Sequence, residues 1–288
     1  KCVPAANQNN QNYQEIARLG YVSKAYLVLA AIGTSGGALN LLAQMLINQA
    51  NQYEADQRIP FFRRHPDIGT FVQQHAAPYG WPLNDNYALA YRVLQIVCGI
   101  QRGSQPYSHM KKAELVLKGY VSESSSTQLT SLNIAINGGL AMGHYWKGRL
   151  LLEQAKQDHD RCNDYKDAAI ASFCATNVTE RFDHLPENAD EDAAPQLSPP
   201  QWLSAIELLR YPDREVFRVD RRMVFQTIYQ KLTQQVEEVQ SDRIQIHNER
   251  YRLTKKDVRS NMERCLDMVK VQFPDKEPLI QEMIRSIR

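Results

Sequence analysis

The chain has 288 residues, with 34 Lys and Arg against 32 Asp and Glu, for a formal net charge of +2 at pH 7. At that length a sizeable core can be buried without disulfide or metal staples, and the balanced charge excludes a global field that would draw the protein to nucleic acid or an anionic membrane. Hydrophobic residues at 43% and a mean hydropathy of -0.50 describe an ordinary globular chain and exclude a polytopic membrane protein.

Residues 1–12 are rich in Asn and Gln around Pro4, too polar to build a packed core, and read as an arm. No charged residue occurs from Ala25 to Gln52, and Tyr26 to Ile47 is mostly apolar over about the 20 residues that a membrane-spanning helix needs. The run reads either as a span or as a buried apolar helix, and Asn40 and Gln44 argue for the second. Gly33 and Gly37 give it a G-x-x-x-G spacing, which lets two helices approach closely and marks a helix-packing interface in both readings.

From 58 to 86, Pro60, Pro66, Pro78 and Pro82 with Gly69 and Gly80 interrupt any long helix and predict an irregular connector. Short polar side chains at Asn84, Asp85 and Asn86 then cap a helix that runs through Tyr87 to about Ile100. Its only charge is Arg92, so it should be buried. A second charge-free stretch, Ser124 to Trp146, is diluted by Ser, Thr, Asn and Gly and predicts a buried helix, with Gly138, Gly139 and Gly143 favouring close packing. An amphipathic helix follows to about Gln157.

Residues 183–200 place Pro186, Pro195, Pro199 and Pro200 among Glu187, Asp190, Glu191 and Asp192, an acidic linker and a domain boundary. From about Arg214 to Leu253 the apolar residues Phe225, Ile228, Leu232, Val236, Val239, Ile246 and Leu253 form a near-heptad stripe on a charged helix. Leu232, Val236 and Val239 sit at its centre and define a second packing interface, facing either this chain or another. Val258, Met262, Cys265, Leu266, Val269 and Phe273 predict a further helix stopped by Pro274. Pro278 opens a terminal helix with Leu279, Ile280, Met283, Ile284 and Ile287 on one side.

The fold class is therefore all-α and multi-helical, with one N-terminal apolar helix and a long amphipathic C-terminal region. The organisation expected is a polar arm and anchor helix over 1–55, a helical core region over 56–185, the acidic linker over 186–200 and a charged helical region over 201–288.

Motifs for chemistry are few. Gly33-Thr34-Ser35-Gly36-Gly37 matches G-x-S-x-G between a strand-like and a helix-like run, the context of a nucleophile elbow, and is similar to the patatin-like lipase motif. The resemblance implies Ser35 as nucleophile but covers about a dozen residues, without the Gly-rich oxyanion loop or Asp partner of that family and without alternating strands and helices. A helix interface is the ordinary reading of the same residues.

The seven histidines form no i,i+4 pair, and Asp158, His159, Asp160, Asp164 and Asp167 lack the Gly and terminal Glu of a calcium loop. Neither a metal nor a cofactor is expected. Arg58, Arg63, Arg64, Lys111, Lys112 and Lys118 would suit nucleic-acid phosphates only if the fold gathered them. Cys2, Cys98, Cys162, Cys174 and Cys265 are widely spaced and odd in number, which suits buried free thiols.

The leading functional expectation is a non-enzymatic structural or accessory subunit of a larger complex, joined to other protein subunits by helix packing. The complex would be membrane-associated, at an organellar inner membrane for example, with lipid around residues 26–47. An apolar anchor followed by charged helices resembles, in layout and without a shared motif, the peripheral stalk subunits of rotary ATP synthases. The alternative is a soluble helical coat or nucleoprotein on nucleic acid, and the third reading is a serine hydrolase using Ser35.

Overall fold

The computed structural model describes residues 43, 70, 74, 82, 85–100, 105–184, 195–240 and 255–287. Among them there are ten α-helices and no strand, so the all-α expectation holds. They are α1 (Asn86–Ile100), α2 (Pro106–Leu117), α3 (Ser125–Asn137), α4 (Ala141–Gln157), α5 (Cys162–Cys174), α6 (Val178–Asp183), α7 (Pro199–Leu209), α8 (Arg221–Gln240), α9 (Lys255–Gln272) and α10 (Glu277–Ser286), with a 3-10 turn at Pro274–Lys276 before α10. The chain divides into two compact units, 1–134 and 135–288, the division falling within α3. No helix among the described residues is long and apolar enough to cross a membrane, and the Tyr26 to Ile47 run lies outside them, apart from buried Ala43.

In the first unit, α1 starts where its cap predicts. The Asp85 carboxylate accepts from the backbone N–H of Tyr87 at 2.8 Å and of Ala88 at 3.2 Å, satisfying donors that the first turn leaves free. Leu89, Ala90, Val93, Leu94 and Val97 are buried while Arg92 reaches solvent. Helix α1 packs against α2, and Tyr87 stacks on Tyr120 with ring centroids 3.7 Å apart.

The second charge-free stretch is two helices, which corrects the expectation of one. Gly139, at φ 80, takes the left-handed conformation that ends a helix, its N–H donating to Ile136 O at 2.8 Å while Leu140 N–H reaches back to Ala135 O at 3.1 Å. Gly138 and Gly139 are exposed and serve a turn rather than an interface. Close packing falls instead to Gly143, whose missing Cβ would sit 3.0 Å from Ile136, and to Gly148.

The second unit is organised around α7, the most enclosed helix, which packs against α4, α5, α6, α8 and α9. Ten of its eleven residues are buried. Pro199 and Pro200 fill its first turn, where a missing N–H costs nothing, and Ser198 N–H donates to the Gln201 side chain at 2.9 Å. The helices on either side of the acidic proline-rich stretch, α4 to α6 before it and α7 to α10 after it, fall in one compact unit.

Helix α8 begins at Arg221 rather than near Arg214. Asp220 caps it by accepting from Arg222 N–H at 2.9 Å, while the Arg221 guanidinium donates to Tyr211 O at 2.9 Å and Arg214 O at 2.8 Å. The carbonyls of 211 and 214 therefore have partners that a helix through them would not need. Residues 241–254, with Ile246 and Leu253, lie outside the described residues. On α9, Val258, Met262, Cys265 and Val269 are buried as their spacing predicts, and Phe273 stacks on Phe225 at 5.1 Å. On α10, Ile280 and Met283 are buried and Ile287 follows just beyond its end, but Leu279 turns outward, 40% exposed.

Helices α4 and α5 make the most extensive contact in the unit, and Gly148 is what permits it. A Cβ there would lie 2.5 Å from the ring of fully buried Phe173. Gly148→Ala should destabilise the fold by about 1–3 kcal/mol, the usual cost of overpacking, despite the higher helix propensity of Ala. Chemical denaturation with an unchanged m-value checks it.

Candidate functional site

Among the described residues the densest gathering of charge is inside the second unit. Glu207, the one acid on α7, is 1% exposed at its side chain. Arg210 at the end of the same helix donates to Glu207 Oε2 at 3.3 Å. Arg264 on α9 lies 3.4 Å from Oε1, and Arg149 on α4 lies 3.7 Å from the same oxygen. Burying a carboxylate alone would cost several kcal/mol, so its partners are what make the position tenable. Arg149 also donates to the Tyr145 hydroxyl at 3.2 Å. Burial works against its charge, yet Tyr145 and Glu207 outweigh that and hold its pKa above the ordinary value. Burial, with Glu207 next, pushes the Tyr211 phenol up as well.

Beside this knot Arg264 donates to the Asn261 side-chain oxygen. Asn261 Nδ2, Arg264 Nε and Ser204 Oγ are buried without a hydrogen-bond partner, as is Glu207 Oε1, whose arginines approach it as ion pairs only. Ser204 stands one turn before Glu207 on α7.

The first unit holds a smaller polar cluster. Lys112 donates to Glu123 at 3.1 Å with both side chains nearly buried, and its ammonium lies 5.9 Å from the Tyr91 ring centre. Burial, reinforced by Glu123, pushes the Tyr91 phenol up. Burial likewise raises the Cys98 thiol to about 11 and lowers His109, the latter with help from Lys112. Glu114 lies between Lys111 at 2.8 Å and Lys118 at 2.9 Å.

These pairings decide what the basic groups read from the sequence can do. Lys111, Lys112 and Lys118 are each engaged by a carboxylate of their own unit and are not gathered into a phosphate-binding stripe. Arg58, Arg63 and Arg64 lie outside the described residues. Arg214 pairs with Asp167 at 2.5 Å and Arg218 with Asp183 at 3.8 Å. Of the acidic group read from the sequence, His159, Asp160, Asp164 and Asp167 are exposed and Asp158 is half-buried, with Asp164 4.0 Å from Arg161, and no cluster able to hold a metal occurs among the described residues. Cys98, Cys162, Cys174 and Cys265 are free thiols, and burial raises Cys265 to about 12, far from a reactive thiolate.

Of the packing residues named from sequence, Gly33 and Gly37 lie outside the described residues, as does Ser35. Leu232 and Val236 are 0% and 7% exposed, and Val239 is half-buried. Their helix packs against α7, α9 and α10, so this part of the stripe finds its partners inside the chain. The Glu207 knot escaped the sequence reading, which assigned no element to 201–213. One signal was present: a single acid in an otherwise uncharged helix-length run, Pro199 to Leu209, needs a cationic partner. Comparison with protein-family models, curated protein sequences and solved structures finds no match to this chain.

Two outcomes follow from these clusters. Burial alone would raise Glu114, but Lys111 and Lys118 outweigh it and hold the carboxyl at about 2, below its ordinary 4.5. A depressed folded pKa gives stability that is complete above about 4.5 and is lost as pH falls toward 2. Glu114→Gln should therefore flatten the acid limb of a stability-against-pH curve, measured by denaturant midpoints from pH 7 down. Glu207→Gln leaves three arginines without their shared anion and should cost about 3–5 kcal/mol at neutral pH. Equilibrium unfolding of the variant checks it.

Proposed function

We propose that this chain acts through its helical surfaces, as a non-enzymatic structural or accessory subunit of a larger, membrane-associated protein complex. The observation that carries the reading is the course of the stripe on α8. Burial is complete at Ile228 and Leu232, nearly so at Val236, and partial at Val239, while the sequence continues the stripe with Ile246 and Leu253. An apolar stripe whose burial lessens toward the end of a charged helix, and whose spacing the sequence carries on, calls for a further helix to cover it. Val271, 76% exposed on α9, and Leu279 on α10 add apolar surface on either side of the turn that joins those two helices.

In this reading the partners are other protein subunits, and the Tyr26 to Ile47 run with Gly33 and Gly37 supplies the attachment to lipid or to a neighbouring helix. The nucleic-acid alternative draws no support from Lys111, Lys112 and Lys118, whose charges are already paired.

The test separates the two parts of the seam. Val239→Asp should cost the isolated chain clearly less than a change at the buried part of the seam does, while releasing it from its assembly on native gels of cell extract. Leu232→Ala should cost about 2–5 kcal/mol in the isolated chain. A native chain that migrates as a monomer in extract, or an assembly indifferent to Val239→Asp, would overturn the subunit reading. Recovery in the aqueous phase after detergent phase separation would remove its membrane element.

A further inference from the structure

We infer that the arginine knot around Glu207 is the binding site of a small oxyanion, a dianion of phosphate size. The argument begins with charge. Three guanidinium groups, from α4, the end of α7 and α9, lie within 4 Å of one carboxylate that is 1% exposed, leaving two positive charges in excess. Glu153 on α4 is the next acid toward Arg149, but it is 44% exposed and pairs with Lys156 at 2.7 Å. Arg149 and Arg264 keep 22% and 16% of their side chains exposed, so the surplus is only partly relieved by water. A structural ion pair needs one cation for each anion; like charges held together at low dielectric repel.

The second observation is independent of charge. Arg264 Nε and Asn261 Nδ2 are buried donors without acceptors, on residues joined to one another by a hydrogen bond, and the Ser204 hydroxyl is buried without a partner one turn from Glu207. Native interiors rarely leave such groups unmatched; the one acceptor-only atom among them is Glu207 Oε1, 3.4 Å from Arg264, and the unmatched donors outnumber it, so the cluster is short of acceptors. Water could accept these hydrogen bonds but could not offset the charge. An oxyanion does both, and guanidinium suits it because its planar donors can pair two at a time with phosphate oxygens. Arg210, 37% exposed, is the arginine nearest solvent and marks the approach.

The test follows thermal unfolding of the full chain in increasing inorganic phosphate, with ionic strength held constant by chloride. A bound anion raises the midpoint saturably, by mass action on the folded state. Arg264→Gln removes a charge-assisted donor and should weaken the apparent affinity by about tenfold or more. Should that variant fail to fold, Arg210→Gln at the exposed edge should weaken binding in the same direction. Glu207→Gln should act oppositely: less stable without phosphate, it should gain more from phosphate than the native chain does. Phosphate that does no more than chloride would overturn the proposal. So would a rise that is linear, unsaturated and equal in the arginine variants, since that is the general salting effect on burial.

Discussion

A carboxylate in the last turn of a helix enclosed on every side is the constraint around which the second unit is arranged. Helix α7 can occupy the centre because ten of its eleven residues are buried, and Glu207 is acceptable among them only because guanidinium groups reach it. One of those groups comes from α4 and another from α9, so the register of both helices against α7 is tied to a single acid. With an apolar residue at 207 packing alone would set that register, whereas a buried charge adds an alignment that keeps it paired.

The end of α7 adds a second tie. The last carbonyls of a helix have no partner within it, and at Leu209 the Gln272 amide at the end of α9 and the Arg221 guanidinium at the start of α8 supply donors. Arg221 donates as well to the Gln272 side-chain oxygen at 3.4 Å, and onward to Tyr211 O and Arg214 O. Three helices thus meet where one of them runs out of hydrogen bonds, and the Phe225–Phe273 stack closes the apolar side of the α8–α9 contact. In the first unit the same economy appears on a smaller scale: Lys112 and Glu123 are withdrawn from water together, and Glu114 is held ionised between two lysines.

Such arrangements bear on function by deciding which groups remain available to a partner. Lysines that look basic along the chain are matched by acids in space, and the buried thiol of Cys265 has lost the acidity a nucleophile requires. What remains outward is helix surface: Val271 and Leu279 beside the α9–α10 turn, with Val239 half-buried toward the end of α8. What remains unmatched inward is the positive surplus around Glu207. The proposed subunit role draws on the first and the proposed oxyanion site on the second, so either can fail without the other.

Periodicity and capping made much of the fold legible. Asp85 announced α1, Pro278 the start of α10, and the 3- and 4-residue spacings of α8 and α9 named Leu232, Val258, Met262, Cys265 and Val269 as buried, because a helix that is wet on one face must repeat its apolar residues with its turn. Helix α7 was illegible by the same logic: apolar almost all round, it has no period to read, and its two leading prolines imitate a linker. The glycine pair Gly138-Gly139 looked like packing and proved to be a stop, since composition does not reveal the sign of φ. The sequence by itself determined the helical class and which faces turn inward, for these depend on neighbours within one turn. Only the tertiary structure decided which arginines would surround Glu207 and that Lys112 would meet Glu123, because electrostatic partners far apart in the chain, such as Arg149 and Glu207, 58 residues apart, are brought together by packing alone.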